Sequence, residues 1–111
     1  MQIFDNFTVV AAPFPYTERP VSKRRPCVVV GQPHSTEMVW VLMITSAKNK
    51  RWKGDVSIKD LSAAGLSTGS VVRTSKIATV EKSVLRVIGK LDEFAATSTR
   101  DEINKHLRND D

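Results

Sequence analysis

Hydrophobic positions along the chain fall in short runs separated by turn-forming residues, which is typical of a β-rich protein. Residues 7–12 are apolar and partly β-branched, and residues 27–30 and 38–45 are nearly continuous apolar runs separated by a Gly-Gln-Pro-His turn signal. Runs of this length between turn signals predict strands. We expect the second and third runs to pair as a hairpin of core strands, buried on both faces.

Further β segments are predicted in the second half of the chain. Apolar character returns at Val56 and Ile58, residues 70–80 are rich in β-branched side chains, and residues 84–91 follow a charged break at 81–83. Residues 13–20 contain three prolines, which cannot continue a central strand, so the first strand should end in a long surface loop. About six short strands are expected.

Two segments carry helix signals. Residues 60–65 read as one helical turn, with Asp60 near its start and Gly65 in the left-handed position at its end. Thr99 precedes Glu102 by three residues, which predicts the capped start of a C-terminal helix. The predicted fold class is mainly β (α+β): a small, twisted, partly open antiparallel barrel with a short helix and a C-terminal helix.

Length and composition favour one domain over residues 1–111. The chain has 111 residues, 41% of them hydrophobic, and its apolar runs are much shorter than a membrane span. No export signal is visible at the start, so a cytoplasmic location is predicted. One cysteine and two distant histidines make no recognisable zinc spacing, and no cofactor is predicted. The net charge of +5 makes nucleic acid the first partner to test.

Candidate chemistry lies at the predicted strand ends. Arg24 and Arg25 precede Pro26, whose fixed φ limits where Arg25 can point. Thr45 and Ser46 end the long apolar strand, where a hydroxyl can leave the core and face a cleft. These side chains are the ones that a phosphodiester-binding site needs.

A second arginine site is predicted later in the chain. Strand alternation places Arg73 and Ser75 on one face, so the two are expected to act together. If Arg25, Thr45 and Arg73 converge, two guanidinium groups would clamp a phosphate while Thr45 bonds one of its oxygens. This arrangement suits cleavage of RNA by its own 2′-hydroxyl without metal, and DNA would be inert.

A basic arm follows the third strand. Residues 48–53 contain four cations and Trp52, and are predicted to form a hairpin tip. Lys48 and Trp52 are candidate substrate-binding residues, since an indole among cations can stack on an unpaired base.

Ordinary structural roles are open for the same residues. Arg24 and Arg25 are also compatible with loop cations, and Thr45 with a normal strand end. Arg73 is compatible with pairing to a carboxylate across the sheet. The basic arm is compatible with a solvated turn.

Taken together, the segments at 7–13, 25–30, 44–46 and 65–80 resemble the MazF/PemK (Kid) family of bacterial toxins. The resemblance implies a Src-homology-3-like barrel, a homodimer, metal-independent cleavage of single-stranded RNA, and an acidic antitoxin that covers the groove. It places the catalytic arginine on Arg25, the catalytic threonine on Thr45, and a further arginine on Arg73. Some members carry aspartate and histidine where this chain has Ser75 and Thr17, which leaves the general base open.

Two other functions stay open at this point. A non-enzymatic toxin resembling CcdB would bind gyrase, but those proteins end in Trp-Gly-Ile and this chain ends in Asn-Asp-Asp. An inactive RNA-binding module would bind RNA without cleaving it.

Overall fold

The sheet has six strands, all paired antiparallel and not closed into a barrel. The computed structural model describes residues 4–13, 24–33 and 37–108. Strand order is β4-β5-β3-β2-β1-β6, so β4 and β6 are the two outermost strands. The strands are β1 (Thr8–Ala12), β2 (Arg25–Gly31), β3 (Met38–Ser46), β4 (Asp55–Ser57), β5 (Ser70–Glu81) and β6 (Arg86–Lys90); helix α1 (Glu93–Arg108) follows, and a short 3-10 turn (Lys82–Val84) precedes β6. The predicted fold class is confirmed, while most of the predicted loop at 13–20 lies outside the described residues.

The two faces of the central strands pack into separate apolar clusters. Alternation along β3 sends Leu42 and Ile44 into one cluster and Val39 and Val41 into the other. Helix α1 covers the first cluster through Ala95. The predicted burial of β2 and β3 on both faces is therefore largely correct, although Trp40 in β3 is 43% exposed.

The sequence had predicted a hairpin tip for the basic arm, and this prediction is wrong. Strand β4 pairs with β5, and β5 in turn lies between β4 and β3. Residues 47–54 therefore cross from β3 over the end of β5 to reach the sheet edge. The local pattern does not contain this pairing, because the partners of Asp55 and Ser57 are Arg73 and Val71, further along the chain.

Helix α1 begins six residues before the predicted start at Thr99. Asp92 caps it, accepting a hydrogen bond from the N–H of Ala95 at 2.8 Å. Its other carboxylate oxygen accepts the N–H groups of Lys59 and Asp60 at 3.0 Å each. Thr99 lies instead within the helix and is fully buried.

Residues 60–65 form a single turn, in which the N–H of Ala64 donates to the carbonyl oxygen of Asp60 at 3.3 Å, and they do not continue into a helix. The Asp60 carboxylate accepts the N–H of Ala63 at 3.0 Å, so its predicted capping role is present. Gly65 has φ 74°, which confirms its predicted left-handed conformation. A Cβ there would lie 2.0 Å from the carbonyl oxygen of Ile88, so the turn packs directly on β6.

In the described ranges, no helix is long and apolar enough to cross a membrane.

Candidate functional site

A cleft of about 390 Å³ opens where β2 begins and β3 ends. The loop between Gly65 and Ser70 forms one wall, and the segment before β2 forms the other. The lining residues are mainly small, hydroxyl-bearing or basic: Ala11, Arg24, Arg25, Pro26, Met43, Ile44, Thr45, Ser46, Asn49, Gly65, Leu66, Ser67, Thr68, Ser70 and Ile88. This set includes two arginines and no carboxylate, so the described lining is suited to an anionic ligand.

Sheet register brings Arg25 and Thr45 together. Cys27 of β2 pairs with Met43 of β3. Arg25 lies two residues before Cys27 and Thr45 two residues after Met43, so strand alternation puts both side chains on the same face of the sheet as that pair. Both residues, two of the three that the sequence had predicted to converge, line the cleft.

Arg24 is held against the opposite edge of the cleft. Its Nη1 donates to the carbonyl oxygen of Ala11 at 3.3 Å and also to that of Val84. These bonds connect the segment before β2 to β1 and to the turn that follows β5. A fixed guanidinium at a cleft edge can contact a phosphate with little further loss of side-chain entropy.

The end of β3 turns sharply, and this turn orders its hydroxyls. The N–H of Asn49 donates to the carbonyl oxygen of Ser46 at 3.1 Å, and Ser46 Oγ accepts the N–H of Lys48 at 3.1 Å. Asn49 Nδ2 then donates to Thr45 Oγ1 at 2.6 Å. Lys48 itself is exposed and does not line the cleft.

Asn49 is a cleft residue that sequence reasoning missed. The signal was its position four residues after Thr45, because asparagine is favoured in tight turns and its amide can reach back over the preceding strand end.

Arg73 does not join Arg25 and Thr45 in the cleft. Arg73 pairs with Met43 of β3, so it lies on the same face of the sheet as Arg25 and Thr45. Its guanidinium is bound in the opposite direction, with Nε 3.2 Å from Asp55 Oδ1 and Nη2 2.9 Å from Asp55 Oδ2. Nη2 also donates to the carbonyl oxygen of Lys50 at 2.8 Å. The predicted clamp of one phosphate by Arg25 and Arg73 is therefore absent, and pairing with a carboxylate across the sheet is what the structure contains.

The Asp55–Arg73 pair is deeply buried. Side-chain exposure is 1% for Asp55 and 8% for Arg73. Burial by itself raises the pKa of Asp55, but hydrogen bonds from Arg73 and from the N–H of Trp52, with the charges of Arg73 and Arg51, outweigh it and lower that pKa below the usual 3.8. Asp55 is therefore ionised at neutral pH.

Trp52 lies on this ion pair. The Arg73 guanidinium carbon is 4.2 Å from the centroid of the indole, and Lys76 Nζ is 5.9 Å away. The indole is 42% exposed but does not line the cleft. Its contact in the structure is with Arg73, and its stacking on an unpaired base stays a prediction.

Ser75 lies apart from Arg73 because β5 contains a bulge. Leu42 pairs with Ile77 while the next residue, Met43, pairs with Arg73, so three residues of β5 have no partner on β3. The period of two assumed from sequence fails there. Ser75 is exposed and lines a different, mainly apolar cavity with Trp40.

In the ranges that the structure describes, no three His, Cys, Asp or Glu side chains are grouped so that they could hold a metal ion.

The family model described as a PemK-like, MazF-like toxin of type II toxin-antitoxin systems matches residues 5–109. No curated protein sequence matches the chain.

Solved structures with the same fold are similar over nearly the whole chain. The Deinococcus radiodurans MazE–MazF structure has a TM-score of 0.72 at 16% identity, covering 96% of this chain and 97% of that one. The Mycobacterium tuberculosis toxin MazF-mt6 has 0.69 at 22% identity, covering 94% and 98%. An endoribonuclease in complex with its cognate antitoxin, from a mycobacterial species, has 0.70 at 16% identity, covering 93% of each.

Proposed function

The chain belongs to the PemK-like, MazF-like family of type II toxin-antitoxin toxins, and we propose that it is an endoribonuclease that cleaves single-stranded RNA in the cleft between β2 and β3. The observation that carries this proposal is the meeting of Arg25 and Thr45 on one face of the sheet, in a cleft whose described lining is basic. A domain spanning residues 1–111 and a cytoplasmic location, where messenger RNA is translated, are part of the same proposal.

The proposed reaction uses the substrate's own nucleophile. The 2′-oxygen attacks the adjacent phosphorus, the bond from phosphorus to the 5′-oxygen breaks, and the products carry a 2′,3′-cyclic phosphate and a 5′-hydroxyl. The 2′-hydroxyl proton passes to water, and the 5′-oxygen takes a proton from water, since no carboxylate or imidazole is among the described lining residues. The protein contributes orientation and charge stabilisation.

Arg25 and Thr45 have distinct parts in this scheme. The Arg25 guanidinium neutralises the negative charge that grows on the non-bridging oxygens as phosphorus becomes five-coordinate. The Thr45 hydroxyl donates a hydrogen bond to one of those oxygens. Arg24 and Ser46, which also line the cleft, hold the neighbouring phosphate or sugar.

The decisive experiment compares RNA with DNA. Purified protein is incubated with a single-stranded RNA, with the same sequence as DNA, and with a double-stranded RNA, all in EDTA. Cleavage of the single-stranded RNA alone, with cyclic phosphate ends, is expected. Equal cutting of DNA, or activity that appears only with added metal, would contradict the proposal, and RNA binding without cutting would select the inactive module.

Substitutions locate the site. Arg25→Ala and Thr45→Val are each expected to lower the rate by about 100-fold, the effect of losing one donor to a developing anion. Arg100→Ala is the matched control, because Arg100 lies on α1 over the Phe7 ring and does not line the cleft. If Arg25→Ala cleaves as fast as Arg100→Ala, the site assignment is wrong.

Two partners complete the proposal. One is an acidic antitoxin segment that folds across the basic cleft, as supported by similarity to toxin structures that contain an antitoxin. The other is a second copy of the chain, to be tested by light scattering, where monomer alone at micromolar concentration would exclude a stable dimer. Gyrase binding is not favoured, since the family match and the similar structures are of the MazF type.

A further inference from the structure

We infer that Asn49 is a positioning residue that orients the Thr45 hydroxyl as a hydrogen-bond donor toward the substrate phosphate. The inference rests on the proposed function, and Asn49 is not among the residues that the sequence motifs single out. Asn49 lines the cleft beside Thr45, and its Nδ2 lies 2.6 Å from Thr45 Oγ1.

The number of hydrogen bonds that a hydroxyl can donate and accept limits the direction of the Thr45 proton. A threonine hydroxyl has one proton to donate and two lone pairs that accept. Because the Asn49 amide donates to Oγ1, one lone pair is occupied and the hydroxyl proton must point elsewhere. Thr45 is 8% exposed, and the cleft is where a ligand oxygen can meet that proton. Accepting one hydrogen bond also strengthens the bond that the same hydroxyl donates.

The backbone around Asn49 is held at both ends. On one side, the N–H of Asn49 bonds to Ser46, and the N–H of Ala47 donates to the carbonyl oxygen of Gly69 at 2.9 Å. On the other side, the carbonyl oxygen of Lys50 accepts the bond from Arg73 at 2.8 Å. The side-chain amide of Asn49 therefore extends from a turn that hydrogen bonds hold on both sides. Arg73 is one of the residues that hold this turn, although it does not line the cleft.

The arm beyond Lys50 is fixed by the same ion pair. Asp55 accepts the N–H of Trp52 at 2.9 Å, and the Asp55 N–H donates to the carbonyl oxygen of Trp52 at 3.1 Å. Arg51 Nη2 donates to the carbonyl oxygen of Asp55 at 3.1 Å. A structural path therefore runs from the Asp55–Arg73 pair through the arm to Asn49 and Thr45.

The test measures single-turnover cleavage of single-stranded RNA by the full chain, with rate and half-saturation determined separately. Asn49→Ala should lower the saturated rate about tenfold, equivalent to about 1.4 kcal/mol of lost transition-state stabilisation, with half-saturation unchanged within about twofold. Asn49→Asp, which is isosteric but presents only acceptors when ionised, should lose at least as much, because it would accept the Thr45 proton itself. Asn104→Ala, on the exposed face of α1, is the control.

Combination with Thr45→Val separates positioning from a general structural effect. Once Thr45 has no hydroxyl, Asn49→Ala should cost less than about twofold. A similar loss in both backgrounds, or a rate for Asn49→Ala within about twofold of the unsubstituted chain, would overturn the inference. If Thr45→Val has no measurable rate, the separate effects of Asn49→Ala on rate and half-saturation decide alone. Cleavage by neither the unsubstituted chain nor Asn104→Ala would instead refute the proposed function.

Discussion

Substituting Arg73 by methionine tests whether the buried ion pair holds the arm. Methionine keeps most of the apolar stem but removes the charge and every donor. It deletes two bonds to Asp55, one to the carbonyl oxygen of Lys50, and the stacking on Trp52. The Asp55 side chain is 1% exposed, so its carboxylate would remain buried and would keep the hydrogen bond from the backbone N–H of Trp52.

The expected loss is about 3 kcal/mol of unfolding free energy, the lower end of what breaking a buried ion pair costs. The lower end applies because Asp55 keeps its bond from Trp52 and can take up a proton. For a chain of this length the loss corresponds to roughly 12 °C in the unfolding midpoint. The assay is thermal unfolding followed by far-ultraviolet circular dichroism. All variants are measured at the same protein concentration, so that any contribution from oligomer formation is compared at one concentration.

A double substitution provides the internal control. Arg73→Met combined with Asp55→Leu leaves no buried charge, and its remaining cost is chiefly the unbonded Trp52 N–H, about 1 kcal/mol. The double variant should therefore be more stable than Arg73→Met alone. If Arg73→Met melts within about 3 °C of the unsubstituted chain, the pair does not hold the arm and the reasoning fails.

The pH dependence of stability has a defined sign. Because the pKa of Asp55 is lower in the folded chain than the usual 3.8, the unfolded chain binds more protons between the two values. The stabilisation is complete above about pH 5 and is lost as pH falls through the folded pKa. In Arg73→Met the Asp55 carboxyl loses the hydrogen bonds and the charge of Arg73, so burial should raise its pKa and acid should no longer lower the stability through this group. An identical acid slope in both proteins would contradict this assignment.

Three further outcomes follow from the structure. Asp92→Ala should lower the unfolding free energy by about 2 kcal/mol through loss of the α1 cap, while Asp101→Ala on the exposed helix surface should change it little; denaturant titration checks both. Burial raises the pKa of Asp92, but bonds from backbone N–H groups outweigh this and lower it, so the difference between Asp92→Ala and the unsubstituted chain should shrink below about pH 4. Thr99→Val should raise stability by about 1 kcal/mol, because Thr99 Oγ1 is buried without a partner among the described residues; a lower melting temperature would refute this. Gly65→Ala should destabilise the cleft wall by at least 2 kcal/mol, since φ is 74° and the added Cβ would meet the Ile88 carbonyl oxygen; unchanged melting would show that the wall shifts freely.

Sequence alone determined the parts of the fold that depend on nearest neighbours. Apolar or β-branched runs bounded by turn signals located β1, β2, β3 and β5 within a few residues, because both the run and the turn residues that end it are local features of the chain. Gly65 was identified as left-handed because its position at the end of a turn needs no distant partner. Motifs at strand ends predicted that Arg25, Thr45 and Arg73 would converge, and the first two of these line the cleft.

Tertiary structure decided everything that depends on which distant residues meet. Asp92 was chosen as the cap of α1 because its second oxygen also binds the N–H groups at Lys59 and Asp60, and Thr99 was left in the core. The bulge in β5 separated Arg73 from Ser75, and insertion of β5 between β3 and β4 set Arg73 against Asp55. A guanidinium binds whichever carboxylate the sheet places beside it, and strand order and register arise from packing the whole core, so no local pattern contains that choice.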